Sequence, residues 1–240
     1  MKLDVLIFAA HPDDAELSMG GTIAKLSNKG LKVGITDLTE GEMGTRGTPA
    51  KRQAEAFKAA IILKVTFREN LHIPDGNILI DKENVDKVIT QIRKYKPKII
   101  FAPYFNDRHP DHIDTNKIVK KAMFKTGLAK AVTLLDGKEQ KPYRPDKLFY
   151  YMQTYTFEPK FIVDITKFFN DKMRSVKAYK SQFHNPKNNE PETFISSAKF
   201  MDYISSRAKF YGFQIGKEYG EPFYCEENIE LDLVGLIKNI

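Results

Sequence analysis

LDVLIFAAHPDD, residues 3–14, decides the fold. Its first eight residues are almost continuously apolar, without alternating polar positions, which is the pattern of a strand covered on both faces. One imidazole and two adjacent carboxylates follow at once, where the chain turns into a helical stretch from about Ala15 to Lys29 that Gly30 closes. Three such polar groups at the edge of a core cost about 2–7 kcal/mol each, and more when charged, unless they are solvated or bind a cation.

The same unit recurs outward along the chain. KVGITDLT (32–39) reads as a strand, and PAKRQAEAFKAAIIL (49–63) as a helix with Pro49 in its first turn. VTFREN (65–70) is a short strand, and DKENVDKVITQIRKYK (81–96) a helix capped by Asp81 and ended by Pro97. KIIFAPY (98–104) is a further buried strand, and residues 112–127 a helix stopping at Gly127. Strict alternation of strand and helix predicts an α/β fold, a Rossmann-like, mostly parallel sheet with helices on both faces. The second half is less regular. LFYYMQ (148–153) and FIVDIT (161–166) read as strands and residues 167–183 and 192–211 as helices, together a C-terminal α+β extension. Between those helices HNPKNNEPE (184–192) reads as a surface loop and a candidate lid.

At 240 residues, with 42% apolar and 12% aromatic residues, the chain can bury a full core, and its length fits one α/β domain over residues 1–240. The 38 basic residues outnumber 31 acidic ones, for a net charge of +7. Both signs are interspersed and no long basic block occurs, so the charge reads as a solvated surface compatible with an anionic small molecule, not as a nucleic-acid patch. Cys225 is the sole cysteine, which excludes an internal disulfide and a cysteine zinc cage and fits a reducing cytoplasm. The N-terminal apolar run is too short for a membrane span and meets acid where a signal sequence needs small neutral residues. Composition leaves self-association into a homo-oligomer open.

The unusual polar residues all follow predicted strands: HPDD the first, GEMGTRG (41–47) the second, IPDG (73–76) the third and FNDRHPDH (105–112) the fourth. Carboxyl ends of parallel strands gather into one crevice, so these segments are expected to meet. His109 and His112 are three apart and share a side if the chain there is helical, whereas Asp13 and Asp14 are neighbours whose side chains diverge. A histidine from each segment plus one Asp makes a two-His, one-carboxylate set. Such a set suits Zn²⁺ with a position left for water, and equally Fe²⁺. Each motif alone also has a plain reading, HPDD as a helix N-cap and HPDH as a proline-initiated helix start. Their common position at strand ends favours metal. The glycines of GEMGTRG match neither a dinucleotide fingerprint nor a P-loop. Arg46, Arg52 and Arg108 are candidates to hold substrate carboxylates or hydroxyls. SMGG (18–21) reads as small residues that permit close packing against the sheet, and His72 and His184 as structural or surface residues.

AHPDDAE, GEMGTRGT, the R-Q-A-E of residues 52–55 and the later HPDH resemble the PIG-L/LmbE family of metal-dependent de-N-acetylases over the first half of the chain, and AYKSQF (178–183) with the helices after it resembles the family's bacterial members. The resemblance implies that His11, Asp14 and His112 bind zinc, that Asp13 is the general base and that a protonated His109 stabilises the oxyanion. It further implies that Asp111 orients His109 and that Arg52 and Asp75 hold the sugar. It gives no clear role to Phe200 or Tyr203. The similarity is greatest to members that deacetylate N-acetylglucosaminyl malate in bacillithiol biosynthesis; other N-acetylglucosamine conjugates or oligomers, and a metal-dependent phosphoesterase, are the rival expectations.

Overall fold

The structure is a computed structural model that describes residues 1–230. Alternate residues of the first strand, β1 (Val5–Ala9), enter opposite cores: Leu6 and Phe8 join one apolar cluster, Val5 and Ile7 another. Covering both faces takes helices on each side, which is why the segment carries no polar alternation. Helix α1 (Asp14–Asn28) packs on the Val5 and Ile7 side through Ala15, Met19 and Ile23. The opposite side is closed by α3 (Lys82–Tyr95) and α4 (Pro110–Lys125), through residues such as Val88, Ile92, Ile118 and Ala122.

Strands β2 (Val33–Asp37), β3 (Phe67–Asn70), β4 (Ile99–Pro103) and β7 (Lys147–Tyr151) run parallel to β1. With β8 (Phe161–Asp164) and β9 (Gly220–Tyr224), both in the C-terminal extension, they form a seven-stranded sheet of order β3-β2-β1-β4-β7-β9-β8. The order runs outward from β1 in one direction through β2 and β3, and from β4 in the other. Strands β1 and β4 therefore flank the topological switch point, the place where ligands bind in such sheets.

Strand β9 is absent from the expectations. Its sequence GEPFY holds Gly, Glu and Pro, all unfavourable in strands, yet it pairs antiparallel with β7 and β8. Pro222 lies opposite β8 only, beyond the end of the β7 pairing. A small hairpin, β5 (Leu134–Leu135) with β6 (Lys138–Glu139), also escaped the sequence reading. The two C-terminal helices are shorter than the expected 167–183 and 192–211. They are α5 (Phe169–Lys177), after one 3-10 turn, and α6 (Ala198–Gln214). AYKSQF is turn rather than helix because Ser181 donates through its backbone N–H and Oγ to the Glu55 carboxylate of α2 (Pro49–Ile62). Among the described residues no helix is long and apolar enough to cross a membrane.

Helix α1 is broken at Met19, where φ is −138° and ψ 23°. The break leaves four backbone groups without helical partners, and three ionisable side chains take them up. The N–H groups of Gly21 and Thr22 donate to the Glu221 carboxylate (3.0 and 2.7 Å), Arg207 donates to Leu17 O (3.1 Å), and Lys172 Nζ to Ser18 O (3.4 Å). Lys172 and Glu221 are themselves a fully buried ion pair at 2.5 Å. SMGG is thus a packing element, as expected, but its partners are α5 and the turn before it: a Cβ on Gly21 would lie 2.7 Å from Ile165, and one on Gly20 3.2 Å from Lys172. The C-terminal extension grips α1 one turn after Asp14.

Candidate active site

His11, Asp13 and Asp14 leave β1 at its carboxyl end, and the start of α4 brings His109, Asp111 and His112 from the end of β4 beside them. Both plain readings are partly right. HPDH does open a helix, with His109 as N-cap and Pro110 in the first turn, and the three histidine rings still converge, His11–His109 centroids at 4.7 Å and His109–His112 at 5.0 Å. Asp13 occupies the N-cap position of α1 but makes no capping bond. Its backbone has φ 132°, a strained conformation for a residue with a Cβ and one that clusters at functional sites.

That conformation turns the two carboxylates apart. Asp14 faces the histidines, accepting the His11 backbone N–H (2.8 Å) and lying 3.2 Å from His112 Nε2 and 3.4 Å from His11 Nδ1. Ligand atoms of His11, Asp14 and His112 all fall within 4.8 Å of one another, and all three residues are buried. Asp13 is held instead by Arg52, whose Nη2 donates to Oδ2 at 2.8 Å while Nε donates to Pro12 O and Nη1 to Gly41 O. Local spacing left open which Asp faces the histidines; this geometry selects Asp14.

Charge supports a cation at this point. Burial alone would lower the His11 pKa, but hydrogen bonds to Asp111, Asp14 and Asp75 hold it well above the usual histidine range. Burial is likewise outweighed at His112, which Asp14 and Asp107 push up to about 9. Asp14 stays well below the carboxylate range, the pull of His112 and His11 exceeding the effect of burial. Two imidazolium charges are thus set among four carboxylates, those of Asp14, Asp75, Asp107 and Asp111, with Asp13 paired to Arg52. A divalent cation would supply the same charge with the histidines neutral, the form in which they bind metal. The donor set and its surplus of negative charge fit a metal ion.

Asp107 was not among the expected site residues. Its Oδ1 lies 2.8 Å from His112 Nδ1, and its Oδ2 accepts the backbone N–H groups of Thr154 and Tyr155. A carboxylate on the far ring nitrogen of a metal-binding histidine fixes its tautomer and orientation. The clue in the sequence was an acid five residues before His112, a spacing that has no meaning until the loop is folded.

Several expected roles change. The carboxylate of Asp111 is 3.2 Å from His11 Nε2 and accepts from Gly76 N–H; it is the Asp111 backbone N–H that donates to His109 Nδ1. The side chain therefore orients His11, because the N-cap geometry of α4 leaves only the main chain beside the His109 ring. With Nδ1 as acceptor the His109 proton sits on Nε2. Burial, then the charges on His11 and His112, lower its pKa. Arg52 lines the cavity and gives three of its five N–H donors to Asp13 and main-chain oxygens. Asp75 lines it too, bridging His11 Nε2 (3.0 Å) and Met43 N–H (2.9 Å). Arg46 is buried outside the cavity lining, since Gln182 and Glu190 hold the chain at residues 46 and 47 against the 181–190 segment. Arg108 stands exposed at the cavity, its guanidinium 4.6 Å from the Phe194 ring centre. His72 and His184 are exposed.

The cavity has a volume of about 430 Å³. One wall carries the carboxylates and histidines. The other comes from the C-terminal extension, with Gln153, Gln182, Phe194, Ile195, Phe200 and Arg207. The loop 184–192 is mostly exposed and leads directly into Thr193 and Phe194 at the cavity. Tyr203 reaches Thr154 O with its hydroxyl at 3.4 Å.

The class this defines is a Rossmann-like α/β protein whose switch point carries a histidine–carboxylate set that could hold a metal ion, with a further carboxylate, Asp13, beside it in the same cavity. Residues 6–123 match the PIG-L family, described as GlcNAc-PI de-N-acetylase. The diacetylchitobiose deacetylase of Thermococcus kodakarensis is 30% identical over 231 residues, 90% of this chain and 80% of that one. A probable N-acetyl-α-D-glucosaminyl L-malate deacetylase of Bacillus cereus is 25% identical, covering 76% of this chain and 84% of the relative. In structure, a conserved protein of Thermus thermophilus superposes with a TM-score of 0.86 at 35% identity, over 96% of this chain and 98% of that one. The chain belongs to the PIG-L family of deacetylases.

Proposed function

We propose that the protein is a zinc-dependent amide hydrolase that removes the acetyl group from an N-acetylglucosaminyl compound, N-acetylglucosaminyl malate being the substrate. The observation that carries the reading is one buried carboxylate, Asp13, kept out of the His11–Asp14–His112 donor set yet lining the same cavity. When bound by that set, zinc supplies a Lewis acid that brings the pKa of water to about 7 and polarises the amide carbonyl.

The chain's own groups do the proton work. Burial raises the Asp13 pKa to about 6 against the opposing pull of Arg52, close to neutrality, where a general base is effective. Asp13 takes the proton of the attacking water, and Arg52 holds it in the orientation to do so. His109 offers its Nε2–H to the oxygen on which charge develops. The proton on Asp13 then passes to the departing amine, so that acetate and a free amino sugar leave.

The malate part rests on Arg108, exposed at the cavity with its guanidinium over the Phe194 ring. A guanidinium there suits a carboxylate on the aglycone. Turnover of N-acetylglucosaminyl malate, diacetylchitobiose and free N-acetylglucosamine tests it. The malate glycoside is expected to have the highest kcat/KM, and Arg108→Gln to lower that value by about tenfold while sparing the neutral sugars. A higher kcat/KM for diacetylchitobiose overturns the malate assignment and leaves the deacetylase reading intact.

A further inference from the structure

One side chain in the cavity has a donor with nowhere to go. Gln153 lies just beyond the end of β7 and is buried, with 7% of its surface exposed. Its Oε1 accepts a hydrogen bond from Ser18 Oγ at 2.5 Å, whereas its Nε2 is buried and has no partner among the described residues. An amide left in that state costs about 1–3 kcal/mol. The surrounding chain does not let it relax. Arg207 clamps the Gln153 backbone oxygen together with Leu17 O, and the next residue, Thr154, donates its N–H to Asp107, which holds His112. Ser18, the other anchor, sits at the break in α1, where Lys172 takes its backbone oxygen. An unpartnered amide is thus fixed from three sides and lines the site of reaction.

We propose that Gln153 is a specificity residue, donating from Nε2 to a hydroxyl oxygen of the sugar ring that bears the acetamido group. The inference rests on the deacetylase reading. In that reaction His109 serves the acetamido oxygen, and the ring hydroxyls are among the remaining acceptors of an N-acetylglucosaminide. A site that meets a hydroxyl with a buried donor discriminates against analogues lacking it, because the donor is then stranded.

The test uses the metal-loaded, full-length protein, an N-acetylglucosaminide and a set of analogues each missing one ring hydroxyl. Gln153→Met removes the donor at similar length; Gln153→Glu keeps the shape and offers acceptors only. Both are expected to lower kcat/KM on the parent sugar by about tenfold, mainly through KM. One analogue should cost the wild type about tenfold and cost Gln153→Met nothing more, the signature of a direct contact. Ser18→Ala, which frees the anchored end, is expected to give a smaller loss of the same kind. Losses that add independently on every analogue, a loss confined to kcat, or wild-type behaviour of Gln153→Glu would overturn the donor role. Absence of wild-type turnover on any N-acetyl sugar removes the deacetylase reading, and this proposal with it.

Discussion

Asp13→Asn is expected to lower kcat by about 10²–10⁴-fold while leaving metal content and melting temperature close to wild type. Asparagine has the same shape and tolerates positive φ, so the strained backbone at φ 132° is retained. Arg52 keeps its bonds to Pro12 O and Gly41 O, and the side-chain carbonyl left by the substitution still accepts from Nη2, so the loop holds its form. What is lost is the ability to take a proton. Because His11, Asp14 and His112 do not include Asp13, bound metal measured by mass spectrometry should stay the same. A variant that kept near wild-type turnover would remove Asp13 from the reaction. One that lost its metal would make Asp13 a ligand.

The second large effect concerns the fold that carries the site. Lys172→Met is expected to destabilise the protein by about 3–5 kcal/mol, because it strands the buried Glu221 carboxylate. For a chain of this size that corresponds to a melting temperature lower by roughly 6–20 °C. Burial pulls the Lys172 pKa down and Glu221 opposes it, so the pair is held together by mutual need rather than by exposure to solvent. Adding Glu221→Gln to the first change should recover part of the loss, because no unpaired charge remains and the amide oxygen still accepts from one of the Gly21 and Thr22 N–H groups. Chemical denaturation of the two variants decides. A loss under about 1 kcal/mol in Lys172→Met, or a double variant worse than the single, would contradict the role assigned to the pair.

The first half of the fold is legible because its information is local. Buried parallel strands such as Val5–Ala9 are continuous apolar runs, their helices follow at once, and the polar residues left over mark the strand ends. The extension is opaque for the opposite reason. GEPFY becomes a strand only because β7 and β8 offer it partners, and AYKSQF leaves the helix because Glu55, more than a hundred residues away, takes Ser181. The site divides the same way. A two-His, one-carboxylate set drawn from HPDD and HPDH was readable from residue type and position, but spacing did not choose its members, and the choice of His11, Asp14 and His112 came from the family resemblance. The roles of Arg52, Asp107 and Asp111 were not readable, since each depends on which distant atom it meets: Asp13 Oδ2, His112 Nδ1 and His11 Nε2. Arg46 shows the limit most clearly. It sits in the right loop, two residues from Gly44 on the cavity wall, and is buried elsewhere.

The central claim is that this carboxylate–histidine centre hydrolyses an N-acetyl sugar by means of a metal. The direct measurement is to strip the protein with a chelator, add back Zn²⁺ or Fe²⁺ in steps, and follow by mass spectrometry the loss of one acetyl group from N-acetylglucosaminyl malate and diacetylchitobiose. Activity is expected to be absent from the stripped protein and to return in proportion to bound metal, reaching its plateau near one ion per chain. Full turnover without metal, or no acetyl loss from any N-acetyl sugar by the loaded protein, would contradict the account.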